Sequence, residues 1–356
     1  MKLPFFGNNY RLSSAEELAL VEGLSIMLAA GIPILEALDS IAEDAVSKNA
    51  KELVRSLADE INSGKTLSAA LEKYPESFDR VLVSIVRSGE ESGNLDKVLA
   101  ELTENIKTSI ETTNNIRSAL FYPILVMISL IAVSFYLFIF ALPRVAKVFL
   151  DLGITLPAYS AFILRSSLFI QKYYVYVILL FLLAVVVVIR LLMNRKIRSF
   201  SFSILARLPS IRSLVRFMDL SKFTNTVSLL LSAGLPIIEA LDTAANVVVS
   251  PKLRAAILFL KESLTQGSSL SEAMKKRSES FPSLLRQIVG VGEETGNLDE
   301  SLKEISGHYE KQFTDIVKNL TVLLEPILLI IIGVVVGVVL LSIIAPIYQL
   351  IGQINQ

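Results

Sequence analysis

The sequence predicts an all-α membrane protein, in which two tandem cytoplasmic helical bundles form an internal repeat and are combined with three transmembrane helices. Three observations predict this class. The segment GEESGNLD at 89–96 occurs again as GEETGNLD at 292–299. Between these motifs apolar residues recur at helical spacing, and no useful stretch alternates as a β-strand does. The chain is also 53% hydrophobic and only 19% charged, a balance that points to the membrane.

The internal repeat keeps a constant register of 203 residues (292 − 89). The same shift carries GIPILEALD at 31–39 onto GLPIIEALD at 234–242, and Pro123 onto Pro326, without a gap. A fixed register of this kind indicates two copies of one structural unit, which we call the first and the second copy.

Capping residues and helix breakers predict where the helices of each copy begin and end. Ser13 or Ser14, followed three residues later by Glu16 or Glu17, predicts a capping box at the start of the first helix. Further helix ends and caps are predicted at Gly31, Pro33, Gly64, Thr66, Asn94, Ser269 and Asn297. Each copy is therefore expected to be a bundle of several short antiparallel helices.

Three stretches are long and apolar enough to cross a bilayer. Residues 118–143 contain no charge, residues 173–193 contain only Arg190, and residues 326–356 again contain none. At about 1.5 Å of rise per residue, each apolar core reaches roughly the 30 Å of hydrocarbon. The first and third stretches correspond under the repeat. The middle stretch has no counterpart. If it adds one more crossing, the chain returns to the first side of the membrane, so that both copies lie on the same side.

The resulting division of the chain is an N-terminal segment (1–12), a first bundle (13–117), a first transmembrane helix (118–143), an external loop (144–172), a second transmembrane helix (173–193), a basic cytoplasmic linker (194–218), a second bundle (219–320), a third transmembrane helix (321–347) and an external tail (348–356). Lysine and arginine favour the cytoplasmic side. They are frequent from Arg190 to Arg216 and absent from the tail, which predicts that both bundles are cytoplasmic.

Helix ends explain only part of the motif GEExGNLD, since glycine and asparagine end and cap helices. The pairs Glu90–Glu91 and Glu293–Glu294 are not explained in this way, because acids beside a helix C-terminus gain nothing from its dipole. Three interpretations stay open: a structural role, contact with a basic partner, or a divalent-cation site. If both acids of the second pair are exposed, reversing their charges should change stability by well under about 1 kcal/mol.

Two features of the third span are candidate contacts in the membrane. Gly333 and Gly337 form a GxxxG pattern, which permits close packing of transmembrane helices, either generally or in a specific dimer. Glu325 precedes Pro326 where the first copy has Tyr122. This acid either reaches the headgroups, hydrogen-bonds a carbonyl freed by the proline, or meets a positive group of a partner.

Several classes of function are not indicated. The segment 63–66 resembles the end of a P-loop, but the glycine required five positions before Gly64 is Asp59. The chain has no cysteine and one histidine, His308, so thiol chemistry and a multi-histidine metal site are not expected. Without a nucleophile and base in a recognisable pattern, neither an enzyme nor a cofactor is expected. Acidic and basic residues balance at 34 each, which gives no field to attract nucleic acid.

The paired motifs, the LLEP sequence at 323–326 and the ALPRVAKVF segment at 141–149 resemble the inner-membrane platform proteins of type II secretion and type IV pilus assembly, the GspF/PilC family. The resemblance covers nearly the whole chain. It implies a multi-pass protein of the cytoplasmic (inner) membrane that is not an enzyme. Such a protein couples a cytoplasmic assembly ATPase, facing the bundles, to pilin or pseudopilin subunits, facing the spans.

The resemblance also implies other inner-membrane assembly proteins as partners, a homo-oligomer and contact with membrane lipid. Because Ser13 already starts the first helix, the chain resembles the shorter members, including those of competence pilus systems. The expected partner contacts are Glu90, Glu91, Glu293, Glu294 and Glu325. Two alternatives stay open: an oligomeric ion channel or ion-coupled transporter that uses Glu325, and a scaffold of another membrane machine.

Overall fold

The computed structural model describes residues 10–151, 158–193 and 209–354. Within these residues the regular elements are helical and no β-strand is present, as the sequence predicts. Most of the predicted N-terminal segment and the linker residues 194–208, including Arg195, Lys196, Arg198 and Arg207, lie outside the described residues.

The first copy forms α1 (Ser14–Ala29), α2 (Ile34–Asp44), α3 (Lys48–Asn62), α4 (Leu67–Leu71), α5 (Arg80–Ser92) and the long α6 (Leu95–Tyr136). The predicted capping box is confirmed. The Glu16 N–H donates to the Ser13 hydroxyl at 3.3 Å, and the Ser13 N–H donates to the Glu16 carboxylate at 2.8 Å. Thr66 caps α4 by accepting the Ala69 N–H at 3.2 Å, so local hydrogen bonds define these helix starts.

The second copy repeats this order. It forms α10 (Pro209–Ser232), α11 (Ile237–Val247), α12 (Pro251–Thr265), α13 (Leu270–Lys276), α14 (Ser283–Thr295) and the long α15 (Leu298–Ile354). After the shift of 203 residues, α11, α12 and α14 have the same bounds as α2, α3 and α5. The internal repeat is therefore confirmed as a repeat of structure.

The two copies share one hydrophobic core. Residues 10–115 and 209–315 form one compact unit, which we call the bundle unit, and the buried apolar residues of both copies belong to a single cluster. Phe78 and its repeat equivalent Phe281 are 2% and 0% exposed in that cluster. The two predicted bundles thus follow each other along the chain, but they form a single compact unit with one core.

Residues 116–151, 158–193 and 316–354 form a second unit. A π-helical segment, Leu137–Ala141, leads into α7 (Leu142–Asp151), and α8 (Ala158–Lys172) is followed by α9 (Tyr174–Met193). The core of this unit is formed by Leu142, Ala146, Phe149, Leu164 and Val339. The Gln171 amide donates to the Ile139 carbonyl at 3.2 Å, so one carbonyl of the π-helical segment has an additional polar partner.

Two helices among the described residues are long and apolar enough to cross a membrane, Leu95–Asp151 and Leu298–Ala345. A third candidate crossing consists of α8 and residues 174–184 of α9, which meet at an angle of 88°. The predicted first and third spans thus lie on long helices, whereas the middle one belongs to a bent pair. The segment 144–172, expected to be a loop, carries most of α7 and all of α8.

Candidate functional site

The motif GEExGNLD forms the same tight turn between two helices in both copies. Gly93 ends α5 with a φ of 72° and Gly296 ends α14 with a φ of 76°. Both angles lie in the left-handed region that residues with a Cβ atom avoid. Asn94 then occupies the position before α6, and its carbonyl accepts the Val98 N–H at 3.1 Å. Asn297 occupies the same position before α15, as predicted.

The first glycine of the motif allows the two helices to approach each other closely. A Cβ atom added to Gly292 would lie 2.7 Å from the Ser301 hydroxyl and 3.1 Å from the Leu298 Cα atom. A Cβ atom added to Gly89 would lie 3.1 Å from the Val98 Cβ atom. The motif therefore begins with glycine because α5 and α14 contact the first turn of the helix that follows them.

The first acid of each pair caps a neighbouring short helix. The Glu90 carboxylate accepts the N–H groups of Leu67 and Ser68 at the start of α4, the latter at 3.0 Å. Glu293 does the same at the start of α13, where the Ser271 N–H lies 2.9 Å away. These N–H groups have no partner within their helix, and the carboxylate charge is favoured by the positive end of the helix dipole. A structural role was one of the interpretations left open by the sequence, but the helix that each acid caps was not predicted.

The capping contacts bear on the exposure of the second acidic pair and on the P-loop-like segment. Glu293 is half-buried and bonded, so the condition that both acids of the second pair are exposed, on which the small expected stability change depended, is not met. The P-loop-like segment 63–66 is a helix connection in which Gly64 has a φ of 91°. The N–H groups at the start of α4, which an anion would need, are already bound by Glu90.

The second acid of each pair has a different environment. Glu91 and Glu294 are exposed, and neither forms a hydrogen bond or ion pair with any residue that the structure describes. Within the described ranges there is no group of three or more His, Cys, Asp or Glu residues that could hold a metal ion. The contacts therefore favour Glu91 and Glu294 as the members of the motif that are free to bind a partner, and they do not support the cation interpretation.

Glu325 is exposed on the apolar part of α15. Its repeat equivalent Tyr122 is 57% exposed on α6. Neither side chain forms a hydrogen bond with a described residue. The local bond to a carbonyl freed by the following proline is therefore absent within this part of the chain, and a contact outside it stays a prediction.

The GxxxG pattern is also open. No side chain among the described residues lies within 4 Å of a Cβ atom built on Gly333 or Gly337. The buried residues described in the same span are Leu328, at 5% exposure, Val339, at 7%, and Ser342, at 0%. The two glycines thus form no close helix contact within the described chain, and packing against another molecule stays a prediction.

One buried acid among the described residues was not predicted from the sequence. Asp219, on α10, is 0% exposed and accepts the N–H groups of Val249 and Ser250 at 2.8 and 2.7 Å. Burial raises the pKa of Asp219, and these two backbone bonds oppose the rise. The carboxylate holds the connection between α11 and α12. The only signal in the sequence is the register, which pairs Asp219 with another acid, Glu16.

A second group with a perturbed pKa lies in the first copy. Burial, with the charge of Asp79 as the second cause, raises the pKa of Glu17 from 4.5 to about 7. The equivalent residues of the second copy are Leu220 and Pro282. This pair of carboxyl groups therefore distinguishes the first copy from the second.

One family model matches the chain twice, once in each copy of the repeat. The model of the family described as type II secretion system (T2SS), protein F, matches residues 20–143 and again residues 223–346. The two matches are offset by 203 residues at both ends (223 − 20 and 346 − 143), which is the register of the internal repeat. Together they span more than half of the chain.

Individual relatives extend the similarity to most of the chain. The type IV pilus assembly protein PilC of Pseudomonas aeruginosa is 31% identical over 335 residues, which are 92% of this chain and 87% of that protein. The PilC protein of Thermus thermophilus is 31% identical over 336 residues, 93% of this chain and 82% of its own. The type II secretion system protein F of Pseudomonas aeruginosa is 28% identical over 338 residues, with 95% and 83% covered. Because the family model matches both copies in the register of the repeat, and relatives match nearly end to end, the chain belongs to the type II secretion protein F family, together with the PilC proteins of type IV pilus assembly.

Proposed function

We propose that this chain is the inner-membrane assembly platform of a type IV pilus, type II secretion or competence pseudopilus machine, and that it couples a cytoplasmic assembly ATPase to pilin or pseudopilin subunits. The observation that carries the proposal is the double family match in the register of the repeat. The names of the relatives connect such chains with pilus assembly and with secretion. The long apolar helices suit a membrane protein.

The shared core supports a common side for the two copies. The buried apolar residues of both copies belong to one cluster, which supports placing both copies of the bundle unit on the same side of the membrane. An even number of crossings would then separate residue 115, where the first copy's part of the bundle unit ends, from residue 209, where the second copy's part begins. This requirement supports one crossing before residue 151 and a second within the pair α8 and α9. The arginine-rich stretch around 190–216 makes the cytoplasm the side that we propose.

In this proposal the ATPase binds the bundle unit through its acidic turns. Glu91 and Glu294 occupy equivalent turns of one compact body, and both carboxylates are exposed without a partner among the described residues. Complementary charge on a partner surface would increase the association rate and select the partner. A basic patch on the ATPase is the chemistry that fits.

The spans are the proposed contact for pilin. Glu325 places a carboxylate on an apolar helix, and this carboxylate has no partner among the described residues. A carboxylate within a membrane span is stabilised by a positive group, such as the N-terminal amine of a pilin subunit or a basic side chain of a neighbouring chain. The same residue is the feature, among those that the structure describes, that favours the alternative of ion conduction. Ion flux through proteoliposomes that contain the purified chain would favour that alternative.

The proposal is tested by reversing one free acid. Chains with Glu294→Lys are compared with Glu262→Lys, which reverses an exposed acid on α12 of the same copy. We expect both variants to accumulate in the membrane. Only Glu294→Lys should lose co-purification with the assembly ATPase and lower pilus or secretion output. Equal co-purification of both variants with the ATPase would show that the acidic turn at Glu294 is not its binding site.

A further inference from the structure

The two copies contact each other through surfaces that are not equivalent. The Ser88 hydroxyl of α5 donates to the Ala233 carbonyl at the end of α10. A Cβ atom built on the next residue, Gly234, would lie 3.9 Å from the same hydroxyl. Under the register of the repeat, Ser88 corresponds to Val291 and Ala233 corresponds to Ala30. The contact thus joins the fifth helix of the first copy to the first helix of the second copy.

The matching surface on α14 has no partner of this kind. Val81, Ser84 and Ser88 lie on one side of α5 and are half-buried. Their equivalents Leu284, Gln287 and Val291 are all exposed, and Leu284 and Val291 expose 40% and 59% of their surface. We call these three equivalents the α14 face.

The matching surface on α1 is open as well. Ala233 is 4% exposed and Leu229, one turn before it, is half-buried. Their equivalents Ala30 and Ile26 are exposed, Ile26 at 63%. We call Ile26 and Ala30 the α1 face. The first copy therefore has an exposed α1 face, and the second copy has an exposed α14 face.

We propose that the α14 face of one chain binds the α1 face of a second copy of the same chain, and so repeats between chains the contact that α5 and α10 form within the chain. Each face is the repeat equivalent of a helix surface that is already in contact, and α14 has the same bounds as α5 after the shift of 203 residues. The side chains are more apolar than those of the internal contact. Val291 replaces the hydroxyl of Ser88, and Leu284 replaces the smaller Val81.

The proposed interface has a defined consequence for assembly. The interface joins two different surfaces. When two chains associate, one α1 face and one α14 face therefore remain unoccupied and can bind further chains. Such head-to-tail contacts produce a ring if the rotation closes and an open row if it does not. The inference rests on the contacts of the bundle unit and does not depend on the proposed partners.

Cross-linking tests the interface, since the chain has no cysteine of its own. The full chain in membranes carries Ala30→Cys together with Val291→Cys and is treated with a short bifunctional maleimide. We expect a ladder of dimers, trimers and larger species. Chains with only one of the two substitutions should remain monomeric, and co-expression of the two single variants with different tags should produce dimers that contain both tags.

A matched control uses the internal contact. Chains with Ser88→Cys and Ala233→Cys should cross-link within one chain and keep the monomer mass. Ile26→Lys added to the Ala30/Val291 pair should reduce the ladder at least tenfold, whereas Glu43→Lys, at an exposed position of α2, should leave it unchanged.

Three results would overturn the proposal. Dimers from Val291→Cys alone would show that the α14 face pairs with itself. A cross-link between positions 30 and 291 inside one chain would show a different packing of the copies. Absence of any ladder, while both cysteines react with a monofunctional maleimide, would show that the two faces do not bind each other.

Discussion

The Glu293 carboxylate accepts the Ser271 N–H at 2.9 Å, and thereby joins the last turn of α14 to the first turn of α13. The same bond, at 3.0 Å, joins Glu90 to Ser68 in the first copy. Two adjacent acids of one motif therefore have separate roles. The first stabilises the turn, and the second extends into solvent.

Removal of the capping acid should destabilise the bundle unit. We expect Glu293→Ala to lower the free energy of unfolding by about 1–3 kcal/mol, because two backbone N–H groups lose a charged acceptor. The neighbouring Glu294→Ala should change it by less than about 0.5 kcal/mol. Denaturant unfolding of the full chain in detergent measures both. Equal effects of the two substitutions would contradict the assignment.

The first glycine of the motif should not tolerate a side chain. Gly292→Ala places a Cβ atom 2.7 Å from the Ser301 hydroxyl and 3.1 Å from the backbone of Leu298. Overpacking of this kind costs about 1–3 kcal/mol. Gly307→Ala is the matched control, since nothing lies within 4 Å of its Cβ position on α15. The control should be neutral or stabilise the helix by up to about 1 kcal/mol. Thermal unfolding compares the two variants, and a neutral Gly292→Ala would refute the close approach.

The half-buried carboxyl of Glu17 should make stability depend on pH. Because folding raises its pKa from 4.5 to about 7, the folded state binds this proton more tightly than the unfolded state. The stabilising contribution is complete below pH 4.5 and is lost as the pH rises through about 7. Glu17→Gln should therefore raise the melting temperature at pH 8 and leave it nearly unchanged at pH 4. The same pH dependence in both proteins would show that Glu17 is not its source.

The proposed membrane orientation is accessible to labelling from outside the cell. Tyr159 is 50% exposed on α8, whereas its neighbour Ser160 is buried, so Tyr159→Cys is the suitable external position. Glu262→Cys reports on the exposed surface of the bundle unit. With an impermeant maleimide on intact cells we expect label on residue 159 and none on residue 262 until the membrane is permeabilised. Labelling of residue 262 in intact cells would contradict the proposed orientation.

The role of Glu325 is resolved by two substitutions. Glu325→Gln keeps the shape and hydrogen-bonding capacity of the side chain and removes its charge, whereas Glu325→Leu removes both. If the carboxylate meets a positive group of a partner, both variants should lower pilus or secretion output with normal amounts of protein in the membrane. Full output with Gln and loss with Leu would assign a hydrogen bond instead.

The sequence by itself determined the features that depend on neighbours in the chain. Ser13, Thr66 and Gly93 were predicted as caps and helix ends, and their hydrogen bonds and φ angles confirm it. Such caps bind N–H groups only three residues away, so composition and spacing are sufficient to recognise them. The register of the repeat was equally visible, because it compares the chain only with itself.

Tertiary structure decided the features that join distant segments. Glu90 lies 22 residues from Ser68, so its charge seemed unexplained beside the end of its own helix. Ser88 lies 145 residues from Ala233, and an internal repeat does not indicate which surfaces of its two copies meet. The physical reason is that local hydrogen bonds are specified by the residues beside them. Packing between copies, in contrast, is selected by the shape and polarity of whole helix faces, and only the folded chain brings those faces together.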